Sequence, residues 1–159
     1  MPKSGIYGFS GPFRWLSNFA DCEIEFEGVV YPTTENAYQA AKFAPELRPP
    51  FVHFTPGEAK KAGQNTLAQR PDWREVSLGI MKDLNRKKFV QEPYKTLLLN
   101  TDGLFIEETN TWGDTFWGVC MGNGENHLGR ILMEIRDELL RDEAVNVENK
   151  TERSISSGV

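Results

Sequence analysis

Three stretches of the chain combine carboxylates, amides and large rings in a way that could act on a ring-bearing ligand. The first is Phe13-Arg14-Trp15-Leu16-Ser17-Asn18-Phe19. Aromatics interleaved with Ser, Asn and Arg, in no clean period, suit a pocket that stacks a ring and hydrogen-bonds its edge. They also suit an irregular edge of a core whose Asn caps a turn. The second is Pro32-Thr33-Thr34-Glu35. A carboxylate in the first turn of a helix is favoured by the dipole and by free N–H groups. The same carboxylate, carried on a rigid element, can be aimed into a cleft. The third is Asn110-Thr111-Trp112-Gly113-Asp114-Thr115-Phe116-Trp117-Gly118, followed by Gly122-Asn123-Gly124-Glu125-Asn126. Its glycines let backbone approach a ligand closely, and the helix start after it attracts phosphate. It reads equally as a glycine-rich turn with an aromatic plug. The strict glycine spacing and Lys-Ser/Thr ending of a phosphate loop are absent from it.

Other catalytic sets are not legible. His53 and His127 stand alone, without metal-ligand spacing, and no Cys–His or Ser–His–Asp arrangement emerges. No metal and no cofactor are therefore expected. Carboxylate and aromatic chemistry remains, and cleavage of a glycosidic bond is one reaction it serves. That reaction passes through an oxocarbenium-like state, which a carboxylate stabilises while an acid protonates the leaving group.

The elements that must position these residues can be read from periodicity. Cys22-Glu23-Ile24-Glu25-Phe26 alternates like a half-buried strand, and Glu27-Gly28 turns it into Val29-Val30-Tyr31, which Pro32 is expected to stop. A helix capped at Thr33 or Thr34 should run through Phe43 and be ended by Pro45 and Pro49-Pro50. Thr55-Pro56-Gly57-Glu58 has the form of a capping box, opening a helix expected to reach about Gln69. The next helix, with Asp72 as its cap, places Trp73, Val76, Ile80 and Leu84 on one stripe. A short helix follows Pro93, then a strand at Leu104-Phe105-Ile106. A final helix from near Asn126 carries Leu128, Ile131, Leu132, Ile135 and Leu139 on one face. The pattern predicts an α+β fold: a mainly helical single domain over residues 1–140, with a few short strands in hairpins. From Arg141 to Val159 the chain is polar and without apolar period, which predicts a flexible C-terminal tail.

Composition bounds the partners. With 159 residues the chain is the size of one domain, and its two cysteines, Cys22 and Cys120, give no disulfide framework. No apolar run is long enough for a bilayer, and Met1-Pro2-Lys3-Ser4-Gly5 does not open a secretory signal, so a cytoplasmic protein without a membrane partner is expected. A net charge of −5 argues against generic, salt-driven nucleic-acid binding. It leaves room for a pocket that takes one nucleotide or one modified base.

Four separated motifs then carry a resemblance. They are Trp15-Leu16-Ser17-Asn18-Phe19; the run from Phe26 through Pro32-Thr33-Thr34-Glu35 to Phe43; Trp73 ahead of Met81 and Lys88-Phe89; and Trp112 to Gly118 with Gly124 to Arg136. In this order, over residues 7 to 140, they resemble the YbiA-like (NADAR) family. The resemblance implies an N-glycosidase that cuts the bond between a ribose and a base. Two substrate types are implied: ribosylamino-pyrimidine phosphates, which are intermediates of riboflavin synthesis, and ADP-ribosylated guanine in nucleosides or DNA. It implies Glu35 as the catalytic carboxylate, Asp114 as the late acidic residue and Trp73 as the active-site Trp. Ser17, Asn18 and Phe19 would line the pocket, with Trp117 and Asn126 in the closing motif. Lys42 and Lys88 would contact phosphate, or equally be solvated lysines. Many relatives carry His after the catalytic Glu, where this chain has Asn36. The alternative reading is a module that binds ADP-ribose or a nucleotide without cleaving it. A protein-interface domain is the third.

Overall fold

A computed structural model describes residues 4–156. Along the chain run β1 (Gly5–Tyr7), β2 (Asp21–Phe26), β3 (Val29–Thr33), α1 (Thr34–Ala41), α2 (Pro56–Ala62), α3 (Trp73–Phe89), α4 (Tyr94–Leu99), β4 (Phe105–Glu107), β5 (Thr109–Asn110), β6 (Val119–Cys120) and α5 (His127–Ser156). The domain is mainly helical, with short strands, in the expected α+β class. The aromatic stretch after Ser10 folds as a 3-10 turn, Gly11–Leu16, rather than a loop.

Helix α1 is the centre of the molecule. All eight of its residues are buried, and it packs on β2, β3, α2, α3 and the 3-10 turn at Pro49–Val52. Its start is local chemistry: the Thr33 hydroxyl accepts from the Asn36 N–H, satisfying one of the free donors of the first turn. Asn36, fully buried, donates from Nδ2 to the carbonyls of Phe51 (2.9 Å) and Phe54 (2.8 Å). Asn36 is thus a clamp between α1 and the following turns. Around α1 the core gathers Leu16, Ile24, Tyr31, Met81, Leu84, Phe89 and Leu98, closed by Leu128, Ile131, Leu132 and Ile135 of α5.

Several elements differ from the sequence expectation. Strand β3 runs through Pro32 to Thr33. The ladder slips between Asp21↔Thr33 and Ile24↔Tyr31, so the missing N–H of Pro32 falls where pairing is already broken. Beyond the β2–β3 hairpin the strands pair in parallel, β1 with β4 and β5 with β6, rather than as further hairpins. Helix α2 has its capping box on Thr55 and Glu58 but ends at Ala62. There Gly63 passes so close to Gln39 that a Cβ would overlap Oε1 of that side chain. Asp72 makes no cap bond, because Arg70 holds its carboxylate at 2.6 and 2.9 Å. Helix α3 buries Ser77, Met81, Leu84, Asn85, Lys88 and Phe89, while Trp73, Val76 and Ile80 are half-buried.

The segment from Arg141, expected as a flexible tail, continues α5 as an exposed helix to Ser156. It contains Ala, Glu, Arg and Lys and no Gly or Pro before Gly158, so helix propensity extends it without a core to cover it. A Lys95–Glu143 ion pair at 2.9 Å ties its first turns to α4. Ser157, Gly158 and Val159 of that tail lie outside the described residues. Among the described residues no helix is long and apolar enough to cross a membrane.

Candidate active site

A cleft of about 780 Å³ opens beside α1. One wall is α1 with its capping residue Lys42, and it contributes Glu35, Tyr38, Gln39 and Lys42. These stand at i, i+3, i+4 and i+7, so they form a single stripe on the helix, opposite the small Ala37, Ala40 and Ala41 that pack into the core. The facing wall is the segment from Glu108 to Trp117, including Asn110, Trp112 and Asp114. Phe9, Arg14, Ser17, Asn18 and Phe19 close one end, and Lys60 and Gln64 reach in from the α2 side.

Glu35 is 7% exposed. Its N–H donates to the Asn18 carbonyl (3.0 Å), and Gln39 Nε2 donates to its Oε1 (2.7 Å). Burial raises the Glu35 carboxyl above the usual carboxylate range. The Gln39 bond and the Lys60 and Lys42 charges pull it back, while Asp114 adds to the rise. Burial also raises the Tyr38 phenol, with Glu35 adding to it. Lys42 is lowered by burial, partly offset by Glu35.

Asp114 is fixed by its surroundings. Its N–H donates to Asn110 Oδ1 (3.1 Å), and its carbonyl accepts from Asn110 Nδ2 (2.8 Å). The N–H groups of Phe116 (3.1 Å) and Trp117 (2.9 Å) both donate to its Oδ1. The carboxylate is thus held rigid by neutral donors, facing the cleft. Trp117 stands edge-on to Tyr38, with ring centroids 5.7 Å apart. Trp112 is 61% exposed at the mouth, with the Lys60 ammonium 5.4 Å from its ring centre.

Of the residues singled out from sequence, the cleft brings together Glu35, Asp114, Ser17, Asn18, Phe19, Lys42 and Trp117. Three expected substrate contacts stand outside its lining instead. Trp73, half-buried, packs against Tyr38 with ring centroids 5.1 Å apart and has the Lys42 ammonium 6.0 Å from its ring, next to the cleft lining rather than in it. Lys88 is fully buried: its Nζ donates to the Ser17 carbonyl (2.8 Å) beneath the Ser17–Phe19 turn, among the rings of Phe89 and Tyr94. Burial lowers its pKa to about 7. Asn126, in the left-handed region at φ 54°, bridges the Ile106 carbonyl and the Glu108 N–H and so ties the start of α5 to the end of β4.

The sequence reading missed Glu108, Tyr38, Gln39 and Lys60, all of which line the cleft, and Arg14 of the first aromatic stretch lines it with them. The signal for Tyr38 and Gln39 was present in their i+3 and i+4 spacing from Glu35. Burial raises Glu108 to about 7, with the Asn110 hydrogen bond opposing and Asp114 adding. Among the described residues no group of three His, Cys, Asp or Glu side chains is gathered as a metal site. Carboxylates opposite aromatic rings, with Lys and Arg at the rim, can hold a sugar's hydroxyls, a flat base and a phosphate.

Fold and site together define a small α+β domain with a carboxylate-and-aromatic cleft carried on its central helix. A family model described as the NADAR domain matches residues 7–140, and the chain belongs to that family. It is 37% identical over 138 residues to an N-glycosidase of Nostoc punctiforme, covering 80% of this chain and 86% of that protein. It is 33% identical over 139 residues to the N-glycosidase YbiA of Escherichia coli, covering 84% and 86%. A riboflavin biosynthesis protein of Vibrio vulnificus is 35% identical over 131 residues, but the match spans only 35% of that longer protein. The NMR structure of E. coli YbiA superposes with a TM-score of 0.79 at 30% identity, covering 91% of this chain and 89% of that one.

Proposed function

We propose that this chain is an N-glycosidase that hydrolyses the bond between a ribose and a base, with Glu35 at the centre of the reaction. The observation that carries the reading is Glu35 itself: a buried carboxyl on the central helix, bonded by Gln39 and facing Asp114 across an aromatic-lined cleft. Relatives that share most of this chain's length are named N-glycosidases, which supports the reaction class.

In the proposed step the bond from the anomeric carbon to the base nitrogen lengthens and the ribose gains oxocarbenium character. The Glu35 carboxylate stabilises that positive charge and takes a proton from the attacking water. Its raised pKa makes it a stronger proton acceptor than an exposed Glu. Asp114, with Oδ1 committed to two backbone donors, presents a fixed acceptor to the ribose hydroxyls. Trp117 and Phe19 flank the base or sugar, and Lys42, Lys60 and Arg14 meet phosphate. No step calls for a metal or an organic cofactor.

Two substrate classes fit this chemistry: ADP-ribosylated guanine, free or in DNA, and ribosylamino-pyrimidine phosphate. The riboflavin name of the Vibrio relative supports the second for that protein. Incubation of the purified chain with each, followed by chromatography and mass, tests the proposal. Release of ADP-ribose or of ribose phosphate is expected from one of them. Binding without release from either would overturn hydrolysis in favour of a non-catalytic nucleotide-binding module.

A further inference from the structure

Glu108 is the cleft carboxyl that the reaction described so far does not use, and it is held as tightly as Glu35. Its N–H donates to Asn126 Oδ1 (3.0 Å) and its carbonyl accepts from the Val119 N–H (2.9 Å), which fixes the backbone on both sides. Its Oε2 accepts from Asn110 Nδ2 (3.0 Å). Gly118 packs directly on it, and a Cβ there would overlap both Oε2 and the Glu108 carbonyl. The fold thus keeps position 118 bare at the point where this side chain and its backbone pass. Asn110, 5% exposed, bonds Glu108 and Asp114 together and sets their relative position.

The two walls treat their glutamates differently. Glu35 receives an amide hydrogen bond and faces two lysines, Lys42 and Lys60, so its ionised form has partners. Glu108 has one neutral amide donor and Lys60 as its only favourable charge, against Asp114 and Glu35. Among the described residues no ion pair reaches it. A carboxyl so placed favours its protonated form. Burial raises both carboxyls, and because they stand on opposite walls of one cleft they can serve one bond from two sides, one as proton acceptor and one as proton donor.

We propose that Glu108 is the general acid that protonates the departing base from the loop wall, while Glu35 acts from the helix wall. This rests on the N-glycosidase reading above. The bond between the anomeric carbon and the base nitrogen breaks, and its electron pair stays on the base. The Glu108 carboxyl proton passes to the base, leaving Glu108 as carboxylate. The water oxygen bonds to the anomeric carbon and loses a proton to Glu35. The products are the free base and the ribose with a hydroxyl at that carbon. Exchange with solvent returns the proton to Glu108 and removes one from Glu35. The pH response follows from the donor role: Glu108 works only while protonated, so activity falls as the pH rises through about 7.

The test uses whichever of ADP-ribosylated guanosine and ribosylamino-pyrimidine phosphate the wild type cleaves. The pH dependence of kcat/KM is measured for wild type, Glu108→Gln and Glu108→Asp, with Tm of each confirming folding. Expected is a roughly 100- to 1000-fold loss of kcat in Glu108→Gln. KM should stay within about threefold, because the amide keeps the shape of the carboxyl and loses only its transferable proton. The alkaline limb of the profile should vanish in Glu108→Gln and persist in Glu108→Asp. Retention of kcat within about threefold in the Gln variant would overturn the proposal. So would an alkaline limb that survives in that variant. If wild type cleaves neither substrate, the N-glycosidase reading itself fails, and the role of Glu108 falls with it.

Discussion

The two walls of the cleft are built by different means. The Glu35 wall is a helix with every residue buried, clamped by Asn36 to the carbonyls of Phe51 and Phe54. The Glu108–Trp117 wall is a loop around a two-residue parallel pairing, β5 with β6, whose outer residues Trp112 and Phe116 are exposed. It is shaped by side-chain amides: Asn110 brackets Glu108 and Asp114, and Asn126 pins the Glu108 backbone. The helix wall is therefore coupled to the global stability of the domain, whereas the loop wall can fail locally without unfolding it.

The largest effect that sharpens this contrast is on the helix side. Asn36→Ala strands the two buried carbonyls of Phe51 and Phe54 and removes the side-chain oxygen that accepts from the Thr33 hydroxyl, at an expected cost of about 3–5 kcal/mol in urea unfolding, read as a shift in midpoint at constant slope. Asn110→Ala should behave in the opposite sense. It costs about 1–2 kcal/mol in the same measurement, yet it lowers kcat about 100-fold because Glu108 and Asp114 lose their shared bracket. Comparable global losses from the two variants would erase the distinction between the walls.

A smaller effect comes from Glu108→Gln and depends on pH. The carboxyl has its ordinary pKa of 4.5 when unfolded and about 7 in the fold. Between those values the folded chain holds a proton that the unfolded chain lacks, so the wild type loses stability as the pH rises through that window. The Gln variant escapes that loss. It should be more stable than wild type by about 1–2 kcal/mol at pH 8, after allowance for partial solvent screening. The gap should close below pH 4.5. Thermal melts across this range check the sign.

The same contrast governs what the sequence made legible. Helix α1 follows local rules: Thr33 caps it, Glu35 sits in its first turn, and the spacing to Lys42 marks one face. The β2–β3 hairpin and the capping box on α2 are local in the same way. Asp114 and Trp117 were found through their residue types, but Glu108 was not. Its role depends on amides from Asn110 and Asn126 and on the bareness of Gly118, which no periodicity records. Trp73 and Lys88 are expected at the cleft only through the family resemblance, while Trp73 also stands on the apolar stripe of its helix. Packing puts Trp73 beside Tyr38 and Lys88 under the Ser17 carbonyl, where both support the wall without lining it. The helical extension past Arg141 had no apolar period to announce it, since it covers no core.

The central claim is that the Glu35 carboxyl performs the chemistry of the cleft. Single-turnover release of the base, measured for wild type and Glu35→Gln at saturating substrate, tests it most directly. A loss of about 1000-fold or more is expected. Substrate affinity should be little changed and Tm no lower, since Gln is isosteric and removes a buried charge. A variant that releases base within about tenfold of the wild-type rate would contradict it.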